Sequence, residues 1–547
     1  MDIKIGKNVI DNLTTGMYQD SKIIFREYIQ NSADQIDKAI KMRLYDNEDL
    51  QIEININAET RTVQIMDNAT GIRASDVKAK LANIADSDKD RDEDKGFRGI
   101  GRLGGLAYCD TLRFITSFKG EAVETIMTWN AKKMCRELIN DKAIKDSAEE
   151  ILNKVISFET RPCDIDKHFF MVELENIRKE NNELLDVEEV SRYISSNTPV
   201  PYNNKFIFVS KINDYIKKHN LTIDEYKIHV NGNDILKNYS TYLHENAQGL
   251  KKVYDVIHDI EFKQFKDQKS VLIAWMWFGV SAFEKQIPES TNDMRGLRLR
   301  KENIQIGDGD TLVPLFKEQR GNFYFIGEVH AVHRNLIPNA RRDYFNENEA
   351  RNEFEAQLKY YFVNILHQLY YDANKVKNLY KKEVELVKKQ VEYAGKKKNG
   401  FIGKEQIDSI ANQVKHAKTE DEKAQKDLER IKEKAKGNEA LERVIKVIEE
   451  KHTYTIDELK KPPIVVANDG AKKLNERMVK DGTKKPKERL VKDGTKKPKE
   501  RFVTDNLHRL DSKQRKLVSK IYEVITKILP EDLSENLIGK IQDELNK

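Results

Sequence analysis

Apolar residues between Lys22 and Leu44 fall at Ile24, Tyr28, Ala33, Ile36, Ile40 and Leu44, the spacing of one helix face. QIEININ (51–57) and VQIMD (63–67) alternate apolar and polar positions, as half-buried strands do. Residues 74–85 return to a helical pattern. DSDKDRDEDK (86–95) is almost wholly charged, cannot enter a core, and leads into GFRGIGRLGGLAYCD. TLRFITSF and AVETIMTWN then read as two more strands. From about 165 to 345 strand and helix patterns mix, with strands expected in HFFMVEL, KFIFVS, VLIAWMWFGV and FYFIGEVHAV. Trp275 and Trp277 share one strand face, which suits a core. Beyond 346 the texture becomes helical and charged, with breaks at Asn399-Gly400, Gly403 and Gly437-Asn438. Two or three long helices, as an antiparallel hairpin or coiled coil, fit that stretch. A last amphipathic stretch (Leu517, Ile521, Val524, Ile525, Ile528, Leu529) predicts a short helical pair.

These patterns predict an α+β protein. The expected division is an α/β domain over 1–135, a second α/β domain over 136–345, helices over 346–460, a linker over 461–510 and a helical segment over 511–547. Composition narrows the rest. With 547 residues the chain is too long for one core, and 34% charged against 39% hydrophobic residues suits globular domains joined to solvated helices. Its 21 Tyr and 21 Phe exclude a disordered chain. A net charge of +5 excludes a globally basic nucleic-acid binder. The excess is local: VKDGTKKPKERL (479–490) recurs as VKDGTKKPKERF (491–502), and residues 479–501 alone carry ten Lys/Arg against four Asp/Glu. Lysine-rich segments of this kind grip phosphate backbones without reading sequence. The segment lacks aromatic residues for base stacking, and a solvated spacer explains it as well.

Cys109, Cys135 and Cys163 make no disulfide framework. No signal peptide is visible, and the longest apolar run, Val271–Val280, is too short for a membrane span of about 20 residues. The expectation is a cytoplasmic protein with no membrane partner.

Three motifs follow one another within eighty residues. Glu27, Asn31 and Asp34, at offsets of four and seven, share one helix face. An amide oxygen there can ligate magnesium, and a carboxylate one turn away can polarise water. Asp67-Asn68-Ala69-Thr70-Gly71 ends a strand, where a carboxylate can accept from an amino group and glycine permits close approach. Gly96-Phe97-Arg98-Gly99-Ile100-Gly101, continuing to Gly104 and Gly105 and opening a helix, offers successive N–H groups to an anion. No GxxxxGK[ST] exists, and no strand runs directly into the glycines, so neither a P-loop nor a Rossmann site is indicated. His330 and His333, three apart in a strand-like run, point to opposite faces and do not suggest zinc.

In this order the motifs resemble those of the GHKL (Bergerat-fold) ATPase superfamily. FREYIQNSADQIDKA resembles its N-box, DNATG its DxGxG box and GFRGIGRLGG its phosphate-lid box. The resemblance covers about residues 1–135. It implies ATP and Mg2+ as ligands. Glu27 would then be the general base, Asn31 the metal ligand, and Asp67 with Gly71 the adenine readers. Gly96, Gly99, Ile100, Gly101 and Gly104 would meet the phosphates, residues 86–105 would form a lid, and Thr125 would be the strand threonine near the adenine. Ala69 departs from the motif, standing where the family has a glycine; a methyl is tolerable there if φ is negative. Residues 295–308 and 327–345 resemble the middle, transducer-like domain of the 90-kDa heat-shock chaperone and MORC branch. Arg342, after Asn339, matches its phosphate-reaching arginine. With no histidine before the N-box, the histidine-kinase branch does not fit. No metal-nuclease motif is visible in the C-terminal half.

The reading that follows is an ATP-gated homodimeric clamp acting on nucleic acid or a protein partner. In it, the Ile- and Val-rich segment before Lys22 suits strand exchange. The alternatives are a nucleotide-gated binding module with little turnover, or a chaperone-like ATPase. Prokaryotic proteins of this appearance suggest DNA transactions or phage defence by resemblance alone.

Overall fold

The computed structural model describes residues 20–43, 50–83, 101–139, 147–461 and 502–547. Residues 86–100 of the lid expected over 86–105, the segment before Asp20 and nearly all of the duplication lie outside those residues. The chain divides into two compact units, 1–371 and 372–547. No helix among the described residues is long and apolar enough to cross a membrane.

The first unit is built on helix α1 (Ile23–Lys41) lying on an eight-stranded sheet. Ile24, Phe25, Tyr28, Ile29, Ala33 and Ile36 of α1 are buried against the sheet. The strands are β1 (Gln51–Asn57), β2 (Thr62–Asp67), β3 (Thr111–Ser117), β4 (Val123–Asn130), β5 (Ile156–Pro162), β6 (Phe169–Glu175), β7 (Lys227–Val230) and β8 (Asn233–Asp234), in the order β5-β4-β3-β6-β2-β1-β7-β8. Alternation sorts their faces: Ile52, Ile54 and Ile56 of β1 and Val63 and Ile65 of β2 point into the core. Among the described strands of this sheet, only β1 and β7 pair in parallel. The first domain therefore does not end at 135, because strands over 156–175 and 227–234 complete its sheet and its core reaches Ile235. Alternation identifies a strand but not the sheet that the strand joins.

A second, five-stranded sheet follows. It contains β11 (Asp259–Lys266), β12 (Leu272–Val280), β13 (Gly296–Lys301), β14 (Ile304–Gln305) and β15 (Ile326–Ala331), ordered β11-β12-β15-β13-β14. A separate hairpin of β9 (Tyr242–Ala247) and β10 (Leu250–Val256) precedes it. Strand β12 lies between β11 and β15, and Trp275 and Trp277 are fully buried in it. KFIFVS forms no strand. The Asn203 side chain accepts from Lys205 N at 2.9 Å and its carbonyl from Phe206 N at 2.9 Å. That turn feeds a helix over Val209–Lys218 and leaves Ile207 exposed.

The five-stranded sheet carries a fully buried charge cluster. Glu328 on β15 contacts Arg300 Nε and lies 3.1 Å from Lys237 Nζ, and it accepts from the Tyr202 hydroxyl at 2.5 Å. Arg300 also donates to the Ser196 carbonyl at 3.0 Å, and Asn303 to that of Asp224 at 2.6 Å. Burial alone would raise the Glu328 carboxyl, but Arg300 and Lys237 hold it well below its usual range. Burial and Arg300 together bring the Lys237 ammonium down to about 7.

The second unit is helical. Its long elements are the helix His367–Asn399, which enters from the first unit, Lys404–Ala435, Glu439–Lys460, and the pair Ser512–Ile528 and Glu531–Asn546. Ile407, Ile410, Ala417, Ala424, Leu428 and Ala435 are its buried positions on the second of these, spaced as heptad a and d sites. Lys432 meets Glu449 at 3.0 Å and His452 meets Glu383 at 2.9 Å, which sets the three long helices side by side.

Candidate active site

Helix α1 presents Glu27, Asn31 and Asp34 on one face, with Glu27 and Asp34 buried and Asn31 half-buried. Glu27 is the point of convergence. Gly101 sits so close that a Cβ there would lie 2.5 Å from Glu27 Oε2. Arg342 Nε lies 3.3 Å from Glu27 Oε1, and Arg26 Nη2 lies 3.6 Å from the same oxygen. The structure thus joins two residues far apart in sequence at one carboxylate.

Residues Gly101–Ala107 form a 3-10 helix, in keeping with the helix that the glycine motif was expected to open. The Tyr28 hydroxyl locks it, accepting from Gly105 N at 3.0 Å and donating to the Arg102 carbonyl at 3.1 Å. Gly104 is buried in the same turn. Gly96, Gly99 and Ile100 lie outside the described residues.

Asp67 ends β2 and is completely buried. Its Oδ1 accepts from Ala69 N at 3.2 Å, while Oδ2 is buried with no hydrogen-bond partner among the described residues. Burial raises this carboxyl to about 7, against the lowering effects of the Ser32 hydroxyl and the Ala69 N–H. Ala69 is not among the described residues with positive φ, so its methyl is accommodated. Its carbonyl meets His168 Nδ1 at 2.7 Å. Gly71 is left-handed, with φ of 64°, and a Cβ there would come within 1.9 Å of the Ser117 carbonyl. Only glycine fits that approach. Thr116, beside Ser117, accepts from Ile72 N at 2.9 Å. Thr125 stands opposite Thr116 on β4, and its Oγ1 is also buried without a partner among the described residues.

Two buried oxygens without partners beside a glycine-only turn fit a planar ligand that donates and accepts hydrogen bonds, as an aminopurine does. Asn31, with an amide oxygen on the face of Glu27, suits a hard cation among phosphates. Arg26 and Ser32 were missed in the sequence reading. Arg26 sits beside Glu27 in FREY, but only the fold shows that it is buried and turned onto its neighbour.

The sequence profile of the histidine kinase-, DNA gyrase B- and HSP90-like ATPase family matches residues 20–161. Among curated proteins, the chaperone protein HtpG of Ruthia magnifica is 27% identical over 141 residues, covering 22% of this chain and 23% of that protein. HtpG of Clostridium perfringens is 30% identical over 130 residues, or 21% of each chain. HtpG of Buchnera aphidicola is 36% identical over 87 residues, 15% of this chain and 14% of the relative. The chain thus spans less than a quarter of the length of these curated relatives.

Proposed function

This chain carries a GHKL-type ATPase domain and resembles the 90-kDa heat-shock proteins, and on that premise we propose that it hydrolyses ATP and uses nucleotide to gate a dimeric clamp. The observation that carries the reading is the meeting of Gly101 and Arg342 at Glu27. Asp67 and Thr125 take the adenine and the glycines around 101 the phosphates. Glu27 accepts the proton of the attacking water. Arg342 places a guanidinium where phosphoryl charge develops, which stabilises a transition state more than a ground state. Asn31 would hold magnesium, which would neutralise charge on the phosphates.

A second reading is favoured by one detail. With Arg26 and Arg342 both on the Glu27 carboxylate, the base is engaged rather than free, which suits a nucleotide-gated binding module with little turnover. The test is steady-state ATP hydrolysis by the wild type and Glu27→Ala, with and without duplex DNA. We expect turnover that falls about 100- to 10,000-fold in the variant, the usual worth of a general base. Stimulation by DNA would identify nucleic acid as the client, and indifference to DNA a protein. Equal turnover in both proteins would remove Glu27 as base, and none in either would favour the binding module.

A further inference from the structure

The loop carrying Arg342 is gripped at two consecutive carbonyls by two separate elements. The Arg341 carbonyl accepts from Arg26 Nη2 on α1 at 3.3 Å. The Arg342 carbonyl accepts from Gly307 N, just beyond β14, at 2.8 Å. Arg342 itself has φ of 56°, a left-handed conformation that an L-residue holds only under constraint. Within the loop, Arg342 N donates to the Asn339 carbonyl at 3.1 Å, and the Asn339 side chain donates to Asp343.

Gly307 is left-handed too, with φ of 66°. A Cβ there would stand 2.0 Å from Thr311 Oγ1 and 2.7 Å from the Asp343 carbonyl oxygen. Neither neighbour yields easily: Thr311 Oγ1 accepts from Asp308 N at 2.8 Å, and the other atom is backbone. The segment under Gly307 is firm, since Ile306 N donates to the Leu299 carbonyl at 2.9 Å and Gln305 is buried.

We infer that Gly307 is a positioning residue for Arg342: its N–H and bare Cα fix the 342–343 backbone so that the guanidinium reaches Glu27. Gly307 touches neither Glu27 nor a nucleotide, and it acts through the loop. The kinetic consequence rests on the ATPase reading above, whereas the structural one stands without it.

The experiment compares full-length wild type, Gly307→Ala, Arg342→Ala and the double variant by ATP turnover, ATP affinity and hydrogen exchange over residues 334–346. Gly307→Ala should lower kcat at least about tenfold, as a misplaced catalytic group does. ATP affinity should stay within about twofold, because only a transition-state contact is lost. Adding Gly307→Ala to Arg342→Ala should cost nothing more, and the loop should exchange faster in Gly307→Ala. Unchanged kcat, or losses that add in the double variant, would overturn the inference. Should Gly307→Ala fail to fold, Gly307→Ala/Thr311→Gly removes the 2.0 Å collision, keeps the one with Asp343, and carries the same expectation. A wild type without turnover would defeat the ATPase reading, and exchange would then decide alone: a loop as protected in Gly307→Ala as in the wild type would overturn the role of Gly307.

Discussion

Asp67 is a carboxyl buried without a cation, and its titration follows from that. Burial raises it to about 7, whereas in the unfolded chain it titrates near about 3.9. Between those values the unfolded state has released the proton and the folded state keeps it. Its contribution to stability therefore falls as pH rises through that window and is constant above about 7. Asp67→Asn should flatten that slope, as measured by urea unfolding at pH 4 to 8. If the ionised form reads an amino group, ATP should bind the wild type more tightly at pH 8 than at pH 6, with no such gain in Asp67→Asn. An isothermal titration at the two pH values checks this, and a wild-type affinity that did not rise would take the adenine-reading role from Asp67.

At the scale of elements, the helix Lys404–Ala435 offers a clean case. Its buried positions keep one register over four heptads, about eight turns, so a truncation there opens a seam rather than a surface. Leu428→Ala should cost about 2–5 kcal/mol, seen as a lower urea midpoint for the helical unit. That helix was legible because 3.5-residue periodicity and its two glycine breaks are local signals. Strands β1 to β4 were legible for the same reason. KFIFVS misled because the Asn203 turn outweighs the β-branched and aromatic propensity after it. In the candidate site, Glu27, Asp67 and Gly71 stand in short motifs, so their proposed roles could be suggested from sequence. The approach of Arg342 to Glu27, across 315 residues of chain, was expected only through the family resemblance, and the turning of Arg26 onto its neighbour had no sequence signal.

At the scale of the whole first unit, the cluster of Glu328, Arg300 and Lys237 ties β13 and β15 to the Ser196 carbonyl, and Asn303, which accepts from Lys237 at 2.6 Å, reaches that of Asp224. Removing one member leaves buried charge uncompensated. Glu328→Ala should therefore cost about 3–5 kcal/mol in a urea titration, more than any exposed ion pair of this chain would. A different consequence follows from the parallel pairing of β1 with β7, which the Asn231 side chain extends by bonding Ile56 across 175 residues. On a ribosome adding about 5–20 residues per second, the partner of β1 arrives roughly 10–35 s after β1 itself. Until then the nascent domain holds an open sheet edge, so its assembly is timed by synthesis and not by the rate at which its own strands can collapse.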